Sequence, residues 1–143
     1  MYHVYVIQCS DGSLYTGVAK DIVHRLREHY HRLPRCAKYT RSHPMQSLRG
    51  LWQMESKTLA YQLEYWIKRL DRPHKDALLL HPEQAKVLIQ SKHSNAPSLC
   101  SSASSQRTES QISTPCEPIQ WVDAAQQHGI MQSVTQHLST PKC

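Results

Sequence analysis

Five side chains in the first half of the chain have types and spacings suited to phosphate chemistry: Tyr5, Tyr15, Arg25, His29 and Glu64. The stretch "HVYVIQCSDGSLYTGV" sets Tyr5 and Tyr15 on two neighbouring strand-like runs. Across a hairpin, both hydroxyls can point to one place. The helix pattern that follows is basic, which would make that place phosphate-rich. Arg25 and His29 are four residues apart and share one helical face. Glu64 follows Leu63 directly, at the margin of an apolar helical stripe. A carboxylate there is partly desolvated and needs a partner, either an arginine or a metal ion. Each residue also has an ordinary reading. A strand tyrosine is usually half-buried packing with its hydroxyl at the rim. Glu64 can pair with Lys68 one turn on, as surface glutamates do. On spacing alone the ordinary readings carry more weight.

The elements that would position these groups are legible. "YHVYVIQC" is a run of β-branched and aromatic residues, hence a strand. "SDG" is a turn, and "SLYTGV" is a second strand. Asp21 can cap a helix reaching about Leu33, where Pro34 stops it. Its apolar stripe is Ile22, Leu26, Tyr30 and Leu33, with Arg25 and His29 at the edge. Residues 34–46 read as an irregular basic loop, and "QSLRGLWQME" as a third strand. Ser56 caps the next helix, where Leu59, Leu63, Trp66, Ile67 and Leu70 recur at helical spacing. Pro73 and Pro82 open two more helices, to Leu80 and about Gln90. The expected fold is α/β in the α+β sense: a small three-stranded, mostly antiparallel sheet flanked by helices.

Charge and composition bound the rest. Residues 20–49 hold eight Lys/Arg against Asp21 and Glu28, an excess equal to the +6 of the whole chain. A basic segment of this kind is an electrostatic footprint for a polyanion. Five scattered cysteines with no C-x-x-C pair argue against a disulfide framework and a zinc ribbon. No apolar run approaches a membrane span, so the expected setting is a reducing cytosol. Residues 91–120 hold eleven Ser/Thr, so the segment 91–143 reads as a disordered tail. Only residues 119–138 regain apolar spacing, as a weak helix interrupted by Gly129. The glycine-rich phosphate loop, the dinucleotide fingerprint, H-E-x-x-H and G-x-S-x-G are all absent from the sequence.

The residues now reach a resemblance. "HVY", nine residues, then "YTG" is similar to the two half-motifs of the GIY-YIG nucleases. The arginine-bearing helix, "AKYTR" and "LEYWIKRL" follow in the order of the small stand-alone bacterial branch. The resemblance runs from residue 2 to about 80. It implies a nuclease domain at residues 1–80, with 81–90 an added helix and 91–143 without counterpart. It also implies phosphodiester hydrolysis with one Mg²⁺ or Mn²⁺ ion and a nucleic-acid substrate, DNA before RNA. Carried over by position, Tyr5 and Tyr15 are the motif tyrosines and Gly17 the motif glycine. Arg25 is the helix arginine, His29 the histidine one turn later and Glu64 the metal ligand. A tyrosine beside a metal and an arginine is drawn toward phenolate and can take a proton from water. The choice of base among Tyr5, Tyr15 and His29 stays open. Lys38 is a phosphate contact, with Lys20, Arg27, Arg32, Arg35 and Arg41 on the same basic segment. Where some relatives have an asparagine, this chain has Asp76. The competing reading is a nucleic-acid-binding module that uses the same face without cutting.

Overall fold

The computed structural model describes residues 1–93 and 119–136. The elements are β1 (Tyr2–Cys9), β2 (Leu14–Ala19), α1 (Ile22–Tyr30), α2 (Lys38–Ser42), β3 (Met45–Met54), α3 (Lys57–Arg69), α4 (Arg72–Leu80), α5 (Gln84–His93), β4 (Gln120–Trp121) and α6 (Ala124–Gln136). They form an α+β fold around an antiparallel sheet ordered β2-β1-β3-β4.

The first hairpin turns at Gly12, whose φ of +82° is the left-handed conformation that favours glycine. Its register sets Tyr5 opposite Gly17 and Ile7 opposite Tyr15. Because side chains alternate along a strand, Tyr5, Ile7 and Tyr15 share one face. Val4 and Val6 take the other, where they pack with Trp52, Met54 and the α3 residues Ala60, Leu63 and Ile67. Tyr5 and Ile7 pack instead with Leu51, Ile22 and Leu26. The helices α1 and α3 therefore lie on opposite faces of the sheet.

Helix α1 departs from the expected pattern. Asp21 caps it by accepting from the His24 amide at 3.0 Å. It ends at Tyr30, three residues early, because His31 closes it and Arg32 turns to a φ of 50°. The buried stripe is Ile22, Leu26 and His29, while Tyr30 and Leu33 are 39% and 41% exposed. A polar ring takes the place expected of apolar ones. The basic loop also contains a short helix, α2.

The sheet has four strands rather than the expected three. The fourth comes from the segment read as a disordered tail. Gln120 and Trp121 pair with Gln53 and Trp52, and the Val122 amide donates to the Leu51 carbonyl at 2.9 Å. Helix α6 runs through Gly129 without a break. Ile119, Val122 and Val134 are buried, with Val122 and Val134 in the Tyr5 core. A few well-spaced apolar side chains anchor the segment despite its polar surroundings. The rest of the expected tail, residues 94–118 and 137–143, lies outside the described residues. Among the described residues no helix is long and apolar enough to cross a membrane.

Candidate active site

The site is built on β1, β2, α1 and α2, with α3 reaching it from the other face. Tyr5 is 1% exposed, and its hydroxyl lies 2.8 Å from His29 Nε2. His29 Nδ1 lies 2.7 Å from the Thr40 hydroxyl, which donates in turn to the Ala37 carbonyl at 3.0 Å. This chain fixes the proton positions. The Thr40 proton is used on Ala37, so Thr40 Oγ1 accepts from His29 Nδ1–H. His29 Nε2 then carries a lone pair and accepts from the Tyr5 hydroxyl. Burial, and next the charge of Arg25, push the His29 pKa down to about 4 against the opposing pull of Glu28. The ring is neutral at pH 7. Burial raises the Tyr5 pKa above its ordinary value, a shift only partly offset by Arg25. At rest Tyr5 is a phenol whose proton is shared with a neutral imidazole.

Gly17 has a steric reason to be glycine. A Cβ there would sit 2.5 Å from the Tyr5 hydroxyl oxygen and 2.7 Å from its ring carbon. The Tyr5 ring lies over its cross-strand neighbour and needs that neighbour to have no side chain. Tyr15 is half-buried beside it, its ring 6.4 Å from Tyr5 and 5.3 Å from His29.

Arg25 is held by Glu28 Oε2 at 2.6 Å and by the Arg35 carbonyl at 2.9 Å. Burial works against its charge, but the bonds to Glu28 and Tyr5 prevail and raise its pKa. Glu28 is itself buried, with His24 Nε2 3.3 Å from its other oxygen. The side chain of Glu64, on α3, is 17% exposed, and the Lys68 ammonium lies 2.7 Å from Oε1. Its charge still acts at Tyr5, where it favours the protonated phenol.

The structure thus brings Tyr5, Tyr15, Arg25, His29 and Gly17 into one cluster, with Glu64 within electrostatic reach. Of the basic residues, Arg32, Arg35, Lys38 and Arg41 are exposed around α1 and α2. Arg41 also donates to the Pro34 carbonyl at 2.9 Å. Lys20 lies over the Tyr2 ring, 5.3 Å from its centroid. Arg27 turns toward α6, where it donates to the Ser133 carbonyl at 3.1 Å. Asp76 pairs with Arg72 at 3.0 Å, and Arg72 also donates to the Gly12 carbonyl. Sequence reasoning missed Glu28 and Thr40. The run "AKYTR" was the available signal for Thr40. Nothing in the spacing marked Glu28 as buried.

Comparison with known proteins decides the family. Residues 1–76 match the GIY-YIG catalytic domain. The chain belongs to the GIY-YIG family. It is 46% identical over 78 residues to the UPF0213 protein VNG_2274C of Halobacterium salinarum, a match spanning 54% of this chain and 99% of that one. It is 37% identical over 82 residues to the UPF0213 protein FN1575 of Fusobacterium nucleatum, spanning 57% of this chain and 80% of that one. The solution NMR structure of the UPF0213 protein BH0048 from Bacillus halodurans aligns at 34% identity and a TM-score of 0.38, covering 64% of this chain and 96% of that one. GIY-YIG domains form a nuclease family that acts on nucleic acid and generally uses divalent metals.

Proposed function

We propose that this GIY-YIG chain is a divalent-metal-dependent endonuclease that hydrolyses DNA phosphodiester bonds, with single strands and flaps as its preferred form. The observation that carries the reading is the hydrogen-bond chain Tyr5–His29–Thr40 beside Arg25. A packing tyrosine needs no neutral imidazole aimed at its proton. A buried neutral histidine whose Nε2 accepts from the hydroxyl holds that hydroxyl in one orientation.

The residues act as follows. Tyr5 takes a proton from the attacking water as its own proton passes to His29 Nε2. The resulting hydroxide attacks phosphorus, the bond to the 3′ oxygen breaks, and that oxygen is protonated from solvent as His29, which the fold keeps neutral, releases its proton. Arg25 faces the negative charge that builds on the phosphoryl oxygens, already oriented by Glu28. Preorganisation of this kind removes a reorientation cost from the chemical step. Thr40 keeps His29 in the tautomer that can accept. Tyr15, half-exposed, lines the approach to the pair.

The donor set fits Mg²⁺ or Mn²⁺. Among the described residues no three His, Cys, Asp or Glu side chains form a metal cage. A hard cation that keeps most of its waters needs only one or two carboxylates, and Glu64 supplies one. When bound there, the ion would stabilise charge on the phosphate and the leaving oxygen. Lys68, half exposed, partners the carboxylate meanwhile.

The test is incubation with end-labelled single-stranded, duplex and flapped DNA in Mg²⁺, Mn²⁺ or EDTA. Metal-dependent cleavage, strongest on unpaired strands, is expected. Binding without any metal-dependent product would overturn the nuclease reading in favour of a binding module.

A further inference from the structure

The Tyr5–His29–Thr40 chain uses only one side of α2. The other side carries an aromatic array that the reaction leaves unused. The Tyr39 ring is near-parallel to Tyr15, at 15° and a centroid distance of 6.0 Å. The His43 ring is near-parallel to Tyr39, at 8° and 4.2 Å. The three rings form a column that starts beside Tyr5 and His29 and ends at the surface. Tyr39 is 38% exposed and the His43 side chain 37%.

The outer ring is held by its edges. His43 Nδ1 lies 3.0 Å from both the Tyr39 carbonyl and the Ser42 hydroxyl, and Nε2 lies 3.7 Å from Asp11 Oδ2. With Nδ1 anchored to its own helix, the ring is held flat on Tyr39 and its other face is what His43 can offer. Lys38, Arg41 and Arg35 are exposed on the same segment and can hold a phosphate backbone that passes the column. A planar π-surface beside exposed cations is the pattern by which proteins hold unpaired bases.

We propose that the Tyr39–His43 pair, through the outer face of His43, is a stacking subsite for an unpaired nucleobase of the strand being cut. This rests on the nucleic-acid reading of the site and deepens it. The cut position is set by which base stacks on the pair, while the basic residues hold the backbone without regard to sequence. Duplex bases, already stacked on each other, cannot enter, which gives the domain its preference for unpaired strands.

The test is a binding scan in EDTA, so that cleavage does not enter. Full-length protein is titrated with a fluorescent oligothymidylate and with versions carrying one abasic site at each position in turn. One position is expected to weaken binding about tenfold and the others to have little effect. His43→Ala and Tyr39→Ala should weaken binding to the intact strand by about the same factor and abolish the abasic step. His43→Phe, which keeps a flat ring, should retain it. Thermal melting of each variant separates loss of binding from loss of fold. A flat abasic scan, or a step that survives His43→Ala, would overturn the proposal. Adding Mg²⁺ afterwards tests the nuclease reading separately. A step that depends on Tyr39 and His43 in a protein that never cuts would keep the subsite and remove the catalysis.

Discussion

Helices α1 and α3 face each other across the sheet, and each carries part of the site, yet they do so in opposite ways. In α1 the polar residues are in the interior. His29 is fully buried and Glu28 nearly so, and both are held by partners. In α3 the interior is apolar, with Ala60, Leu63 and Ile67, and Glu64 sits at the rim with a half-exposed lysine. The α1 side is preorganised and costly to disturb, because a buried polar group that loses its partner bears the full desolvation penalty. The α3 side is open, so its carboxylate can exchange partners at little cost. On the proposed reading, a base and an oxyanion clamp benefit from the first arrangement, and a ligand for an exchanging ion from the second.

The comparison breaks first at Glu64. Glu64→Gln keeps the shape, loses the charge and should drop DNA cleavage below detection. Its unfolding free energy should change by less than about 0.5 kcal/mol, the scale of an exposed ion pair. Cleavage at the wild-type rate in Mg²⁺ would assign Glu64 to Lys68 alone.

A comparable blow on the α1 side should damage stability as well. In Gly17→Ala the new methyl collides with the Tyr5 hydroxyl, 2.5 Å away, and the Tyr5 ring has packed neighbours on its other side. The hydroxyl must move off His29. A rate loss of about a hundredfold is expected from misplacement on this scale. Overpacking should cost about 1–3 kcal/mol. Denaturant melts and single-turnover rates on the same preparation measure both. An unchanged rate would mean that the Tyr5–His29 bond is not used.

The same contrast governs what was legible in the sequence. Helix α3 was readable because its buried positions are apolar and its cap is Ser56. The hairpin was readable from its β-branched run and its Asp-Gly turn. In α1 the apolar-stripe rule chose Tyr30 and Leu33 and passed over His29, because hydropathy cannot see a buried ring whose polar atoms are both satisfied. Thr40 supplies that satisfaction from eleven residues away, across a loop that gave no periodic signal. Helix spacing and the family resemblance singled out His29, Arg25 and Glu64 as candidates. They did not reveal Glu28, whose burial follows from its bond to Arg25. Strand β4 was missed because two residues carry no period, and its pairing with β3 spans nearly half of the chain.

Protonation gives a third test. The folded pKa of His29, about 4, lies below its ordinary 6.5. Above pH 6.5 neither the folded nor the unfolded state holds the proton, and stability is unaffected. As pH falls from 6.5 toward 4, the unfolded chain takes up a proton that the folded chain refuses, so stability falls. Below about 4 both states bind it and the loss levels off. The difference in pKa corresponds to about 3 kcal/mol. His29→Gln should remove this part of the pH dependence while leaving the carboxylate titrations in place. Urea melts at pH 7, 5.5 and 4.5 read it directly. Equal slopes in the variant and the wild type would show that His29 is not neutral in the fold.

The smallest expected effect on chemistry comes from α6, which backs α1 and does not touch α3's face. A chain ending at His93 loses the buried contacts of Ile119, Val122 and Val134 and the Arg27–Ser133 bond. Losing these buried apolar contacts should appear as a fall of several degrees in Tm. The side chains of Tyr5, His29, Thr40 and Arg25 keep their hydrogen-bond partners within residues 5–40. The rate per folded molecule should therefore stay within about twofold, well inside the tenfold that 1.4 kcal/mol represents. Comparing Tm and cleavage rate of the 1–93 chain with the full chain, at a temperature where both are folded, decides the matter. An unchanged Tm would mean that α6 does not hold α1 in solution. A lost rate in a folded protein would mean that α1 needs α6 behind it to keep His29 on Tyr5, and that the site extends to the end of the described chain.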